Sequence, residues 1–182
     1  MIIARSPLRI SLGGGGTDVP SYYQEHDGFL LAAAIDRYVY VTVMRPFTQG
    51  IYLKYSEIEQ VAQVANIKHP IIREVFTHFN ISGVDFNSSA DLPSGTGMGS
   101  SSSFTAGLIN LCCSYNGHYM TQEQIANLAC RIEIDVLKEP IGKQDQYAAA
   151  FGGCNFITFN KNGRVTTPTV KIFNSFAALA MT

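Results

Sequence analysis

Gly95, Gly97 and Gly99 occupy alternate positions between Asp91 and Phe104, and four serines, Ser100 to Ser103, follow directly. Glycine can take a positive φ and leaves no Cβ between backbone and ligand, while serine hydroxyls suit the start of a helix, where the first N–H groups are free. With the helix dipole added, this composition makes a cradle for an anion such as a phosphate. Runs of glycine and serine are more often flexible tethers. Here Phe104, Leu108, Leu111 and Cys112 recur at helical spacing after the run, so the serines open a core-facing helix. The run has no Gly-Lys-Ser/Thr ending, no dinucleotide-type glycine spacing and no Gly-x-Ser-x-Gly elbow. Its serines therefore read as ligands and not as nucleophiles.

Two other segments carry polar groups in patterns that could do chemistry. Arg9 precedes a run of four glycines, Gly13 to Gly16, and Thr17 and Asp18 come directly after it. A cation, a hydroxyl and a carboxylate are thus set beside bare backbone, which suits a polyhydroxylated ligand. Leu8 and Ile10 are expected to face away from Arg9 on the strand that carries it. Further on, Lys143 and Asp145 flank Gln144 ahead of a short helix closed by Gly152 and Gly153. The nearby ammonium would keep Asp145 ionised and ready to accept a proton; an aspartate that only complements the helix dipole explains the residues equally well. Glu133 lies at the edge of an apolar helical stripe, where a solvated glutamate is the ordinary reading. His69 and His78 have no partner at metal-ligand spacing and read as helix-end or surface residues.

Set side by side, the three segments resemble the GHMP kinases, the family of galactokinase, homoserine kinase, mevalonate kinase and phosphomevalonate kinase. Pro93 to Ser102 is similar to the family's Pro-x-x-x-Gly-Leu-Gly-Ser-Ser-Ala, with Met98 for Leu and Ser102 for Ala. Ser6 to Asp18 is similar to its first motif, with Arg9, Thr17 and Asp18 matching and glycine in place of the Glu-His pair of galactokinases. Gly142, Asp145, Gly152 and Gly153 match the Gly-x-x-Asp-x-x-x-x-x-x-Gly-Gly that carries the family's catalytic aspartate.

The resemblance implies an α+β fold, a mostly antiparallel sheet with helices on one face, forming one N-terminal, ATP-binding domain over residues 1–182. The family's C-terminal domain, with its third glycine-rich motif, is expected to be absent from this chain. Pro93, Gly95, Gly97, Met98, Gly99, Ser100, Ser101 and Ser102 would bind the nucleotide. Gly14, Gly15, Gly16, Thr17 and Asp18 would meet the substrate. Ser101 and Glu133 would hold Mg²⁺, although Glu133 stands one residue further from Asp145 than the family pattern has it. Asp145 would act on the acceptor hydroxyl, with Arg9 stabilising charge beside it and Lys143 serving the same region. Glycine in place of Glu-His, and the form Gly-Gly-Gly-Thr-Asp-x-Pro, resemble the branch acting on heptose 7-phosphates, so the implied reaction is ATP-dependent phosphorylation of the anomeric hydroxyl of such a sugar. Family active sites lie between two domains, which implies poor turnover by this half alone. A sugar- or nucleotide-binding relative without catalysis, and an inactive fragment, are the other readings; intact Asp145 and Glu133 speak against the first.

Composition bounds the rest. With 182 residues, 46% of them hydrophobic, the chain can bury one sizeable core. Net charge is -1 and the 13 basic residues are scattered, which speaks against nucleic acid or an anionic membrane as a partner. A small sugar phosphate is the expected partner, with a homodimer as a possible assembly. Cys112, Cys113, Cys130 and Cys154 show no Cys-x-x-Cys spacing and read as reduced thiols, and no leader or membrane-length apolar run is visible; the expectation is a cytoplasmic protein.

The elements that must position these groups follow from periodicity. Ile2–Ala4 and Leu8–Leu12 are predicted as two strands around Arg5-Ser6-Pro7, and Phe29–Ile35 and Tyr38–Met44 as a strand pair turned at Asp36-Arg37. A strand is expected over residues 50–55, and Ser56 with Glu59 reads as a capping box for a helix to Ala65. Pro70 opens a helix with Ile71, Ile72, Val75, Phe76 and Phe79 inward, and residues 84–89 form the strand entering the glycine run. Thr121 and Gln124 cap a helix with Ile125, Leu128, Ala129, Ile132 and Val136 as its core stripe, stopped by Pro140. Cys154–Phe159 and Arg164–Ile172 read as a final strand pair.

Overall fold

The computed structural model describes residues 1–167. Its central strand is β2, Gly28–Met44, which pairs along one side with β1, Ile2–Gly13. The other side of β2 pairs first with β6, Cys154–Phe159, and then with β5, Asp85–Ala90. The sheet is completed by β3, Ile51–Lys54, β4, Ile58–Val61, and β7, Val165–Thr166, in the order β4-β3-β5-β2-β6-β7 with β1 against β2. Every pairing is antiparallel except β3 with β5. Five helices accompany it: α1, Pro20–His26; α2, Pro70–His78; α3, Ser100–Tyr115; α4, Gln122–Cys130; and α5, Gln144–Phe151.

The predicted strand pair 29–35 and 38–44 is one strand whose halves do not pair with each other. Between the pairs Arg9 with Ala34 and Pro7 with Tyr38, the three residues Ile35, Asp36 and Arg37 of β2 face Leu8 alone. This bulge moves the inward-facing set from even positions, Leu30 and Ala32, to odd ones, Val39, Val41 and Val43. A break in alternation around a charged pair reads as a turn when it is in fact a kink. The two strands expected at the N-terminus are likewise one. Pro7 is tolerated because β1 is an edge strand among the described residues. Leu8 and Arg9 are both buried here, while Ile10 is 39% exposed.

Two further expectations are corrected. Ser56 and Glu59 cap no helix: Glu59 sits in β4, pairs across from Leu53, and accepts from the Tyr55 hydroxyl at 2.5 Å and Lys68 N at 2.9 Å. Only a 3-10 turn, Val64–Asn66, follows. Thr121 and Gln124 do form their capping box, but α4 passes into a π-helical segment, Arg131–Val136. One extra residue in that turn rotates the pattern, so Val136 is 47% exposed and Glu133 only 1%. Helix α2 starts at Pro70 with Ile71, Ile72, Val75 and Phe76 buried, as its pattern predicts. The last strand begins as expected, with its predicted residues 168–172 outside the described residues.

The helices cover one face of the sheet. Phe76, Phe86, Leu108 and Leu111 fill the larger core region, and Tyr23, Leu30, Tyr147, Ile157 and Phe159 a second one. Phe29 and Phe156 stack at 5.6 Å on the opposite, open face. The four cysteines are free, and no helix among the described residues is long and apolar enough to cross a membrane.

Candidate active site

Arg9 and Asp145, 136 positions apart, meet at the end of the glycine run. The Arg9 Nε donates to Asp145 Oδ1 at 2.7 Å and a second guanidinium nitrogen donates to the same oxygen. Nη1 donates to Gly97 O at 2.8 Å, and the Arg9 backbone N–H donates to Met98 O at 3.1 Å. One arginine therefore holds both the carboxylate and two carbonyls of the loop. Turning those carbonyls inward leaves the loop's N–H groups free to face a ligand, the layout an anion requires. Gly95, Gly97 and Gly99 all have positive φ, at 83°, 72° and 72°, and a Cβ on Gly95 or Gly97 would enter open space. A Cβ on Gly99 would instead lie 3.3 Å from Asp145 Oδ2. Oδ2, without a hydrogen-bond partner among the described residues, is the oxygen turned toward the loop.

Asp145 is presented by the N-terminus of α5, and that terminus is capped from far away in sequence. Asp18, 2% exposed, accepts from Gln144 N at 3.0 Å through Oδ2. Its carboxylate packs so closely that a Cβ on Gly142 would lie 1.9 Å from it, so Gly142 is required by close approach, a role sequence reasoning had not given it. The Thr17 hydroxyl is taken up by Gly14 O of its own loop at 2.8 Å and by Phe29 of β2, whose O lies at 2.7 Å and whose N–H donates at 3.0 Å. Thr17 and Asp18 thus shape and anchor the segment, while Gly14, Gly15 and Gly16 form the turn ahead of it. Lys143 is not brought to Asp145. Its ammonium donates to Gly163 O at 3.2 Å and lies 5.3 Å from the Tyr23 ring centroid. Two residues along a helix are roughly 200° apart, so sequence neighbours here are not spatial neighbours.

Glu133, turned inward by the π segment, lies under the first turn of α3. Its carboxylate accepts from Ser102 Oγ at 2.8 Å, Thr105 Oγ1 at 2.8 Å and Gln146 Nε2 at 2.5 Å, with Ser101 Oγ at 3.5 Å. Thr105 and Gln146 carry no motif signal, and only the fold brings them in. Burial pushes the Glu133 carboxyl above its ordinary pKa, against the pull of Thr105, Ser102 and Gln146, and the Asp145 charge adds to the rise. Burial also raises Asp145, opposed by Arg9 and reinforced by Asp18.

A group whose pKa is higher folded than unfolded binds its proton more tightly in the folded state. Its contribution to stability is complete below the unfolded pKa and is lost as pH rises through the folded one. We expect wild-type stability to fall relative to Glu133→Gln as pH is raised from the ordinary carboxylate range toward neutrality, measured by urea denaturation. A gap that stayed constant or closed with rising pH would contradict the assignment.

A groove of about 640 Å³ opens beside the loop, lined by Tyr55, His69, Ile71, Phe104, Pro93 and Ser101 among others. His69 is the helix-end histidine expected from sequence; that it lines a groove was not foreseen. Hard oxygen donors, Ser101 and Glu133, lie side by side at the cradle, whereas no cluster of three His, Cys, Asp or Glu residues exists among the described residues. This donor set fits Mg²⁺ completed by phosphate oxygens and water, and not a metal caged by protein alone.

Residues 61–153 match the model of the GHMP kinases N terminal domain. D-glycero-alpha-D-manno-heptose 7-phosphate kinase of Campylobacter jejuni is 33% identical over a 190-residue alignment covering 97% of this chain and 56% of that protein. The galactokinase of Pyrococcus furiosus is 26% identical over 168 residues, covering 87% of this chain and 46% of the relative. Among solved structures, a D-glycero-D-manno-heptose 1-phosphate kinase from Bacteroides thetaiotaomicron superposes with a TM-score of 0.88 at 25% identity, covering 96% of this chain and 61% of that one. These similarities place the fold with the N-terminal domain of the GHMP kinases. The chain belongs to the GHMP kinase family, and it spans about half the length of the curated relatives it matches.

Proposed function

We propose that residues 1–182 are the ATP-binding part of a sugar kinase that phosphorylates the anomeric hydroxyl of a heptose 7-phosphate. The observation that carries this reading is the convergence on Arg9: one side chain fixes the phosphate cradle through Gly97 and the carboxylate through Asp145. Substrate choice is supported by the Campylobacter jejuni relative and by glycine at Gly14, Gly15 and Gly16 where galactokinases carry Glu-His.

In this mechanism Gly95, Gly97, Met98, Gly99, Ser100 and Ser101 wrap the triphosphate with backbone N–H groups, Pro93 and Ser102 shaping the two ends of the loop. Ser101 and Glu133 would hold Mg²⁺, which supplies positive charge against the phosphate oxygens. Asp145 takes the proton of the acceptor hydroxyl on Oδ2, Arg9 remains on Oδ1, and the freed oxygen attacks the γ-phosphorus as ADP leaves. A carboxylate whose pKa burial has raised is a stronger base than a solvated one, which suits the task. Among the residues of the substrate segment, Asp18 acts by holding the α5 N-terminus in place. ADP release by the full-length protein tests the reading: turnover is expected with heptose 7-phosphate and far less with galactose. Comparable efficiency with galactose would overturn the substrate assignment.

A further inference from the structure

We infer that His69 reads the nucleobase, donating from Nε2 to a ring nitrogen of a purine seated in the groove between Tyr55, Ile71 and Phe104. The inference rests on the nucleotide reading above and adds to it a recognition residue. His69 is the N-cap of α2, and its Nδ1 accepts from Ile72 N at 3.5 Å. A neutral imidazole whose Nδ1 is an acceptor carries its proton on Nε2, so this long contact at the helix start favours that tautomer. Burial lowers the His69 pKa, consistent with a neutral ring. Nε2 has no hydrogen-bond partner among the described residues.

The walls fit a flat heteroaromatic ring. His69 stands 4.9 Å from the Tyr55 ring, edge-on, and 5.4 Å from that of Phe104, and Ile71 adds apolar surface to the same groove. Phe104 lies four residues beyond Ser100, about 6 Å along α3 at the usual rise per residue. With the triphosphate on the loop and the first turn of α3, the part of the ligand that reaches His69 is the base. The Nε2 proton has no acceptor among the described residues, and the ring nitrogens N1, N3 and N7 of adenine are all acceptors.

The test is calorimetric binding of ATP, its 1-, 3- and 7-deaza analogues and inorganic tripolyphosphate to the chain and to His69→Ser, which retains an oxygen able to cap α2. One deaza analogue is expected to bind the native chain about 3- to 10-fold more weakly than ATP, the usual worth of a single neutral hydrogen bond. His69→Ser should lose the same factor for ATP and show no further penalty for that analogue, while tripolyphosphate binds both proteins equally. The analogue series needs no variant, so a poorly folding substitution does not blunt it. If all three analogues bind the native chain like ATP, or the penalty persists in His69→Ser, the inference is wrong while the cradle stands. If neither ATP nor tripolyphosphate binds, the nucleotide reading falls and takes this inference with it.

Discussion

Replacing Asp145 by Asn is expected to lower kcat of the full-length protein by about 10²-fold or more, the usual range for loss of a general base. The amide keeps the shape and can still meet Arg9 through its carbonyl oxygen, but it cannot take a proton where Oδ2 now faces the loop. ATP affinity should change little, because Asp145 lies beside the cradle and contributes none of its N–H groups. Equal falls in kcat and kcat/KM would mark an interaction made only in the transition state. Lys143→Met serves as the control. Since Lys143 is directed at Gly163 and Tyr23, kcat should stay within a small factor of wild type. An Asn variant retaining most of its kcat would reduce Asp145 to an orienting group.

The second large effect is expected at Gly97. A valine there would have to hold φ near the observed 72°, a region that costs a non-glycine residue about 1–3 kcal/mol. Its Cβ would point into the open space that the phosphates are to occupy. Gly97→Val should therefore abolish calorimetric ATP binding while a single cooperative thermal transition persists at somewhat lower temperature. The fold survives because Gly97 O, which Arg9 grips, is a backbone atom and is retained. Normal ATP affinity in this variant would mean that the anion cradle has been misplaced.

The parts of the site legible in the sequence are those where one local stretch carries the whole requirement. The glycine run needs positive φ at three alternate positions, and only its own residues supply that. The capping box of Thr121 and Gln124 and the start of α2 at Pro70 are legible for the same reason. What failed depended on geometry beyond the window. Lys143 was assigned to Asp145 by sequence distance, whereas the partner is Arg9 from the other end of the chain. Read by helical period alone, Glu133 belonged to a solvated edge, because a 3.6-residue period carried through Arg131–Val136 puts Val136 inside. The π segment reverses that. The spelling of Ser56 and Glu59 is satisfied equally by a strand in which the glutamate serves Tyr55 and Lys68. The Asp36-Arg37 kink in β2 mimics a turn because a bulge shifts the alternation just as a reversal would.

The pairing of Arg9 with Asp145 also orders events during synthesis. β1 and β2 can associate while the chain is short, but the guanidinium has no carboxylate to meet until α5 has emerged, 136 positions later. Closing so long a loop contributes late in folding, once the sheet has already restricted the chain. Until then Arg9 can meet only Gly97 O and Met98 O of the glycine run and has no carboxylate partner. A nascent chain halted before residue 145 can hold most of this sheet and the Arg9 contacts to the loop, yet it lacks the carboxylate that Arg9 pairs with. The Arg9–Asp145 pair is thus a contact that only chains long enough to include α5 can complete.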